Sequence, residues 1–284
     1  MKIIRTSVEL KSWFNEHNEE KKISLGFVPT MGALHNGHAS LIEKASTECD
    51  LVLVSILVNP TQFNEKDDLE AYPRTMEADA VIAEGAGCDV IFAPTAEDLY
   101  GGEPKAERVD WGGLTNSFEG ESRPGHFDGV IAVVDMLFNV VTPTRAYFGA
   151  KDLQQVAVVQ KMAQIRHPKV EIVSCELIRD SKGLALSSRN VRLTDQGVKR
   201  ALNLSLSLVG VVKRVLNGES VKTAVGEARQ ELQALEGIDL EYFAGVNNQT
   251  FSPKDEATEW SHIIVAAKVD GVRLIDNIEL EVAG

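Results

Sequence analysis

The chain has 284 residues, 44% apolar and 25% charged, the balance of a soluble globular protein with room for one large domain or two ordinary ones. Its net charge of −13, from 29 basic and 42 acidic residues, argues against general nucleic-acid or membrane-surface binding, which needs basic patches. No apolar run reaches the ~18 residues of a membrane span, and the opening MKIIRTSVELKSW lacks a signal-peptide core, so a cytoplasmic protein is expected.

In chain order, the first ~180 residues alternate short apolar runs with helical patterns. The segments 23–29 (ISLGFVP), 51–59 (LVLVSILVN), 90–94 (VIFAP), 145–149 (RAYFG) and 170–178 (VEIVSCELI) read as strands. Their unbroken hydrophobicity suits strands covered on both faces, hence a parallel sheet. Between them, Leu41, Ile42 and Ala45 mark a helix after His38, residues 75–86 form a weaker one, and 129–141 is apolar nearly all round. A further helix over 153–165 is ended by Pro168. Strands alternating with helices predict a Rossmann-like, doubly wound α/β domain over residues 1–178.

The pattern changes after Arg189. Thr194 is a natural N-cap for a long helix stopping at Asn217-Gly218, and a second helix should cover about 221–235. The runs 240–247, 262–269 and 272–280 read as strands, the last two joined by the hairpin signal Asp270-Gly271. Residues 179–284 should therefore be a smaller α+β domain with a short antiparallel sheet. The three cysteines, Cys49, Cys88 and Cys175, have no C-x-x-C spacing and read as buried structural thiols.

The most informative stretch is PTMGALHNGH, residues 29–38, between the first of these strands and a helix. A helix N-terminus at the carboxyl end of a sheet strand offers backbone N–H groups and partial positive charge to an anion. Gly32 and Gly37 permit close backbone approach, and His35 and His38 add two imidazoles suited to phosphate oxygens. Neither a Walker A sequence nor G-x-G-x-x-G is present. A zinc site is the other reading of the two histidines, but no third ligand follows at an evident spacing.

In this context His35-x-x-His38 resembles the H-x-G-H signature of adenylyl-transferring enzymes related to class I aminoacyl-tRNA synthetases. Their second signature, K-M-S-K-S or a variant, has a counterpart in Leu186-Ser187-Ser188-Arg189. Within that superfamily the chain resembles the pantoate–β-alanine ligase family. The matching segments are VPTMGALHNGH (28–38), VNPTQF (58–63), YPRT (72–75), SRPGHFDGV (122–130), FGAKDLQQ (148–155), GLALSSRN (183–190) and LIDN (274–277), spread over nearly the whole chain.

The resemblance implies condensation of (R)-pantoate with β-alanine through a pantoyl adenylate, with ATP as co-substrate and Mg2+ accompanying its phosphates. It implies catalytic roles for His38, His35, Lys151 and Arg189. The ATP site would comprise Met31, Gly32, Ala33, Leu34, His35, Asn36, Gly37 and His38, then Gly149, Ala150, Lys151 and Asp152, then Ile178, Leu186, Ser187, Ser188 and Arg189. Gln62 and Gln155 would hold pantoate, since an amide both donates and accepts, with Asn59 as a neighbour. No protein-held metal is implied, and Asp79 could meet magnesium through water. Tyr72, Arg123 and His126 lie in matching segments without an assigned role. The resemblance further implies a homodimer, and because the C-terminal domain directly follows Ser187-Ser188-Arg189 it is expected to close over the crevice as a lid.

Two positions depart from the family pattern. Ala150 stands where Glu is usual, and Leu186 where Met is usual. Another nucleotidylyltransferase of the same superfamily, or a non-catalytic nucleotide-binding relative, are the alternatives. Acceptors of the former carry phosphates and call for more basic residues; intact His35, His38, Lys151 and Arg189 speak against the latter.

Overall fold

The computed structural model describes residues 1–17, 23–63 and 69–280. The chain forms two compact units. The first comprises Met1–Asp110, Arg123–Ala150 and Val158–Glu176, and the second Trp111–Ser122, Lys151–Ala157 and Leu177–Gly284.

The first unit is built on six strands: β1 (Lys2–Ile4), β2 (Leu25–Thr30), β3 (Leu51–Ile56), β4 (Val90–Phe92), β5 (Arg145–Gly149) and β6 (Glu171–Cys175). Every pairing is parallel, in the order β1-β4-β3-β2-β5-β6. The five expected strands are β2 to β6, so the segment read as the first strand is the second. β1 was not anticipated, because three residues with only Ile4 buried carry no legible period. The helices of eight or more residues in this part of the chain are α1 (Ser7–His17), α2 (Asn36–Glu48), α3 (Met76–Gly85), α4 (His126–Val141) and α5 (Leu153–Arg166). Leu41, Ile42 and Ala45 of α2 are buried and pack with Val28, Val52 and Val54 of the sheet. Each such aliphatic side chain contributes about 1.5–3 kcal/mol on burial. α4 begins three residues before the expected start at Gly129, because its first turn carries His126 and Asp128 and breaks the apolar pattern.

This strand order has a direct consequence. The chain steps outward from β2 through β3 and β4, then resumes on the other side of β2 with β5 and β6. The order reverses beside β2, and in doubly wound sheets that reversal opens a binding crevice at the strands' carboxyl ends.

The second unit carries α6 (Asp195–Leu216), α7 (Val221–Gln233) and an antiparallel sheet β7 (Ile238–Val246), β8 (His262–Val269), β9 (Val272–Glu279) in the order β7-β8-β9. Thr194 caps α6 by accepting from Gly197 N–H, as its position predicts. Its core includes Leu204, Leu208, Phe243, Ile263 and Val265. The turn between β8 and β9 is Asp270-Gly271, both at positive φ, the geometry that makes Asp-Gly a hairpin signal.

The three cysteines are free; Cys88 and Cys175 are buried and Cys49 is half-buried. Burial pushes the Cys88 thiol up to about 12 and Cys175 up to about 11. Thiolate is the reactive form, so iodoacetamide at pH 8 should spare Cys88 and Cys175 in the folded protein and modify all three after denaturation. Peptide mass mapping checks this, and fast labelling of Cys88 without unfolding would contradict it.

Candidate active site

The loop after β2 is set by backbone geometry before any ligand is considered. Gly32 and Ala33 both lie at positive φ (82° and 51°), so the chain turns sharply. A side chain at Gly32 would also meet Asp79 Oδ2 at 3.0 Å. Thr30 Oγ1 donates to Ser55 O at 2.7 Å, on the neighbouring strand, and accepts from Gly32 N–H. Asp79, in the first turn of α3 and 1% exposed, accepts from Ala33 N–H at 3.1 Å and Leu34 N–H at 2.7 Å. Thr75 Oγ1 adds a third bond to its carboxylate. Asp79 thus holds the glycine turn open, a role its sequence position did not disclose.

The two histidines then start α2. His35 is the N-cap, and its Nδ1 accepts from Gly37 N–H at 3.1 Å. His38 Nδ1 accepts from His35 N–H at 3.3 Å. This is the reciprocal logic of a capping box, with imidazoles replacing the usual Ser/Thr and Glu. It explains the three-residue spacing. It also fixes the chemistry: an N–H aimed at each Nδ1 leaves the neutral ring's proton on Nε2, so each imidazole donates from that side. The rings lie 4.2 Å apart.

A second feature of the same unit is the 3-10 turn Pro60–Gln62 after β3. Asn59 is fully buried and caps it: Oδ1 accepts from Thr61 N–H, Thr61 Oγ1 and Tyr100 OH, while Nδ2 donates to Gly129 O. The sequence SRPGHFDG supplies the other wall. His126 Nδ1 and Arg123 both approach Gln62 O, at 3.1 and 3.3 Å, and Arg123 also meets His126 Nε2 at 3.1 Å. A carbonyl only accepts and a guanidinium only donates, so His126 is the neutral Nδ1–H tautomer here. A Cβ on Gly129 would lie 2.3 Å from Thr61 O. Arg123, His126 and Gly129 therefore hold the turn by its backbone, and the Gln62 side-chain amide makes no hydrogen bond among the described residues. The Phe63 and Tyr72 rings meet edge-on at 5.6 Å.

In the second unit, Lys151 and Asp152 lie in the 3-10 turn that follows β5, with Lys151 Nζ 3.6 Å from Asp152 Oδ2. The adjacent glutamines divide sharply. Gln154 is 3% exposed and donates to Leu114 O and Ser117 O while accepting from Glu119 N–H. Gln155 is half-buried, and its side chain makes no hydrogen bond among the described residues. Further on, residues 178–186 form a narrow ribbon: Leu186 N–H donates to Ile178 O, and Arg179 bridges Ala185. Ser187 Oγ accepts from Arg189 N–H and closes the turn that presents the basic side chain. Ala150 and Leu186, the two departures, are both half-buried.

The family model described as pantoate-beta-alanine ligase matches residues 2–279. The chain belongs to the pantoate–β-alanine ligase family. The pantothenate synthetase of Porphyromonas gingivalis is 43% identical over 99% of this chain and 100% of its own. The crystal structure of pantothenate synthetase from Thermus thermophilus superposes with a TM-score of 0.89 at 39% identity, covering 99% of both chains. That of the Francisella tularensis ligase, complexed with beta-gamma ATP and beta-alanine, has a TM-score of 0.80 at 33% identity and covers 100% of this chain and 99% of its own. As a member of this ligase family the chain is an amide-forming enzyme.

Two backbone supports are open to direct test. Asp79→Asn turns one acceptor into a donor facing a backbone N–H and should cost about 1–3 kcal/mol of stability together with most of the activity. Gly129→Ala should cost a similar ~1–3 kcal/mol by overpacking and raise KM for pantoate more than KM for ATP. Thermal melts and steady-state kinetics check both; a Gly129→Ala enzyme with unchanged KM values would show that the Gln62 turn is not held as described.

Proposed function

We propose that the chain condenses (R)-pantoate with β-alanine to give pantothenate, in two steps. The carboxylate of pantoate attacks the α-phosphorus of ATP, forming pantoyl adenylate and releasing pyrophosphate. The amine of β-alanine then attacks the activated carbonyl, and AMP leaves. The observation that carries this reading is the imidazole-capped start of α2 at the carboxyl end of β2, where the strand order reverses. The Francisella tularensis relative, crystallised with beta-gamma ATP and beta-alanine, supports the same substrates.

No protein nucleophile is needed, so the residues act by positioning and charge stabilisation. Met31–His38 are assigned to ATP, with His38 and His35 donating from Nε2 to phosphate oxygens as negative charge develops. Gly149–Asp152, Ile178 and Leu186–Arg189 are assigned to the nucleotide as well. Lys151 supplies a compact charge to the phosphates, and Arg189 a fork that pairs with them bidentately. Gln62 and Gln155 are assigned to pantoate; their uncommitted amides support this. Asn59 serves that site by framing the Gln62 turn.

Among the described residues no three His, Cys, Asp or Glu side chains gather into a metal site. Magnesium keeps much of its water and joins proteins largely through substrate phosphates, so we assign it to the triphosphate, where it would offset phosphate charge. No described helix is long and apolar enough to cross a membrane. A cytoplasmic homodimer is part of the same proposal, the location resting on the opening sequence and the dimer on the family resemblance.

Incubation with ATP, magnesium, pantoate and β-alanine should yield AMP only when pantoate is present. AMP formation indifferent to pantoate would sink the reading. His38→Ala and Arg189→Ala should each lower turnover ~10²-fold or more, as lost transition-state contacts do; a near-normal rate in either would remove that residue from the mechanism.

A further inference from the structure

The sequence LIDN, residues 274–277, has no part in the chemistry described so far. Its place in the fold gives it one. Asp276 and Asn277 lie on β9 and are both buried polar residues, 5% and 7% exposed. Asp276 accepts the Arg179 guanidinium through both oxygens, Nη1 to Oδ2 at 2.7 Å and Nη2 to Oδ1 at 2.8 Å. The same Oδ1 also accepts from Asn277 N–H at 2.7 Å. Arg179 does not stop at the carboxylate: Nη1 also donates to Gly183 O at 3.0 Å, and Nη2 to Asn277 O at 3.1 Å. Asn277 in turn donates from Nδ2 to Lys151 O at 3.0 Å.

These bonds join two segments that are far apart in sequence. Arg179 closes the ribbon 178–186 internally, because Gly183 lies at its tip, and that ribbon leads without a break into Ser187-Ser188-Arg189. Asn190 Nδ2 then pins the far side of the turn to Ala185 O at 2.9 Å. Lys151 O belongs to the 3-10 turn that carries the Lys151 side chain. One half-buried fork on a buried carboxylate, and one buried amide, thus set the backbone of both segments. A bidentate guanidinium–carboxylate pair fixes orientation as well as distance, and a buried amide has few other partners to choose from.

We infer that Arg179, Asp276 and Asn277 are positioning residues for the ligase reaction, holding the Lys151 turn and the Ser187–Arg189 turn in the register that a nucleotide triphosphate requires. This rests on the assignment of Lys151 and Arg189 to the ATP phosphates. None of the three needs to touch substrate. Their effect passes through the two turns they hold, so it should fall on ATP and spare pantoate.

The test uses the full-length enzyme with Asn277→Leu, which removes the donor at similar volume. KM for ATP should rise about tenfold, while KM for pantoate stays within about twofold. The change should be non-additive with Lys151→Ala, since Asn277 acts through the Lys151 turn. Should Asn277→Leu fail to fold by thermal melt, Arg179→Lys, which keeps the charge and loses the fork, is read by the same two KM values, with Arg189→Ala in place of Lys151→Ala for non-additivity. Equal rises in both KM values, or additivity with Lys151→Ala, would overturn the inference. Lys151→Ala with an unchanged KM for ATP would instead remove the assignment beneath it. A normal loss in Lys151→Ala beside an unaffected Asn277→Leu would remove the positioning role alone.

Discussion

A helix begins with backbone N–H groups that no earlier turn can satisfy, and at α2 imidazole nitrogens take part in resolving that problem. His35 and His38 commit their Nδ1 atoms to the main chain. Much of the site depends on that commitment. It keeps the neutral rings in the tautomer that donates from Nε2, and it makes the helix start and the donating edge one object. Asp79 completes the frame by holding Ala33 and Leu34 from the opposite side. A Ser or Asp cap would satisfy the helix equally well, but it would leave no second polar atom of this kind to face an anion.

The same economy recurs elsewhere in the molecule. The Gln62 turn is gripped by its carbonyl oxygen and by close backbone approach at Gly129, not by its side chain. Gln154 is consumed by the main chain of 114–119, and its neighbour Gln155 is not. Buried Asn59 and Gln154 satisfy backbone groups, whereas the half-buried Gln62 and Gln155 keep their amides clear of hydrogen bonds among the described residues. Glu119 in the second unit differs: its buried carboxylate accepts from the Arg273 and Tyr242 side chains, while Arg273 also pairs with Glu241. Burial, with the Glu119 carboxylate alongside, raises the Tyr242 hydroxyl well above its ordinary range and keeps it a donor.

Most of the sheet was legible because β2 to β5 are short apolar runs bounded by breakers, and that signal is local. β1 was invisible at three residues. α1 was missed because Ser7–His17 has little apolar periodicity, with Val8 exposed and, among the described side chains, only Leu10 and Trp13 buried. That residues 111–122 and 151–157 pack with the C-terminal part could not be read locally. It depends on contacts such as Glu119 with Arg273, 154 positions apart. The candidate site shows the same division. Its signatures stand out by spacing, whereas the parts played by Asp79, Arg123 and His126 follow from partners 45 to 64 residues distant. A carboxylate in the first turn of a weak helix was the one available hint of Asp79.

The glutamine pair at the head of α5 has a consequence for how this chain can change. Successive helical residues point about 100° apart, so the inward and outward jobs are separated by a single step of the backbone. Inserting or deleting one residue between Asp152 and Gln154 would turn both side chains by about 100° and leave a glutamine in only one of the pair's two present directions, although the local composition would hardly differ. Loop length at this junction is therefore expected to be far less tolerant than residue identity, and indels there should be purged where point changes such as Ala150 survive.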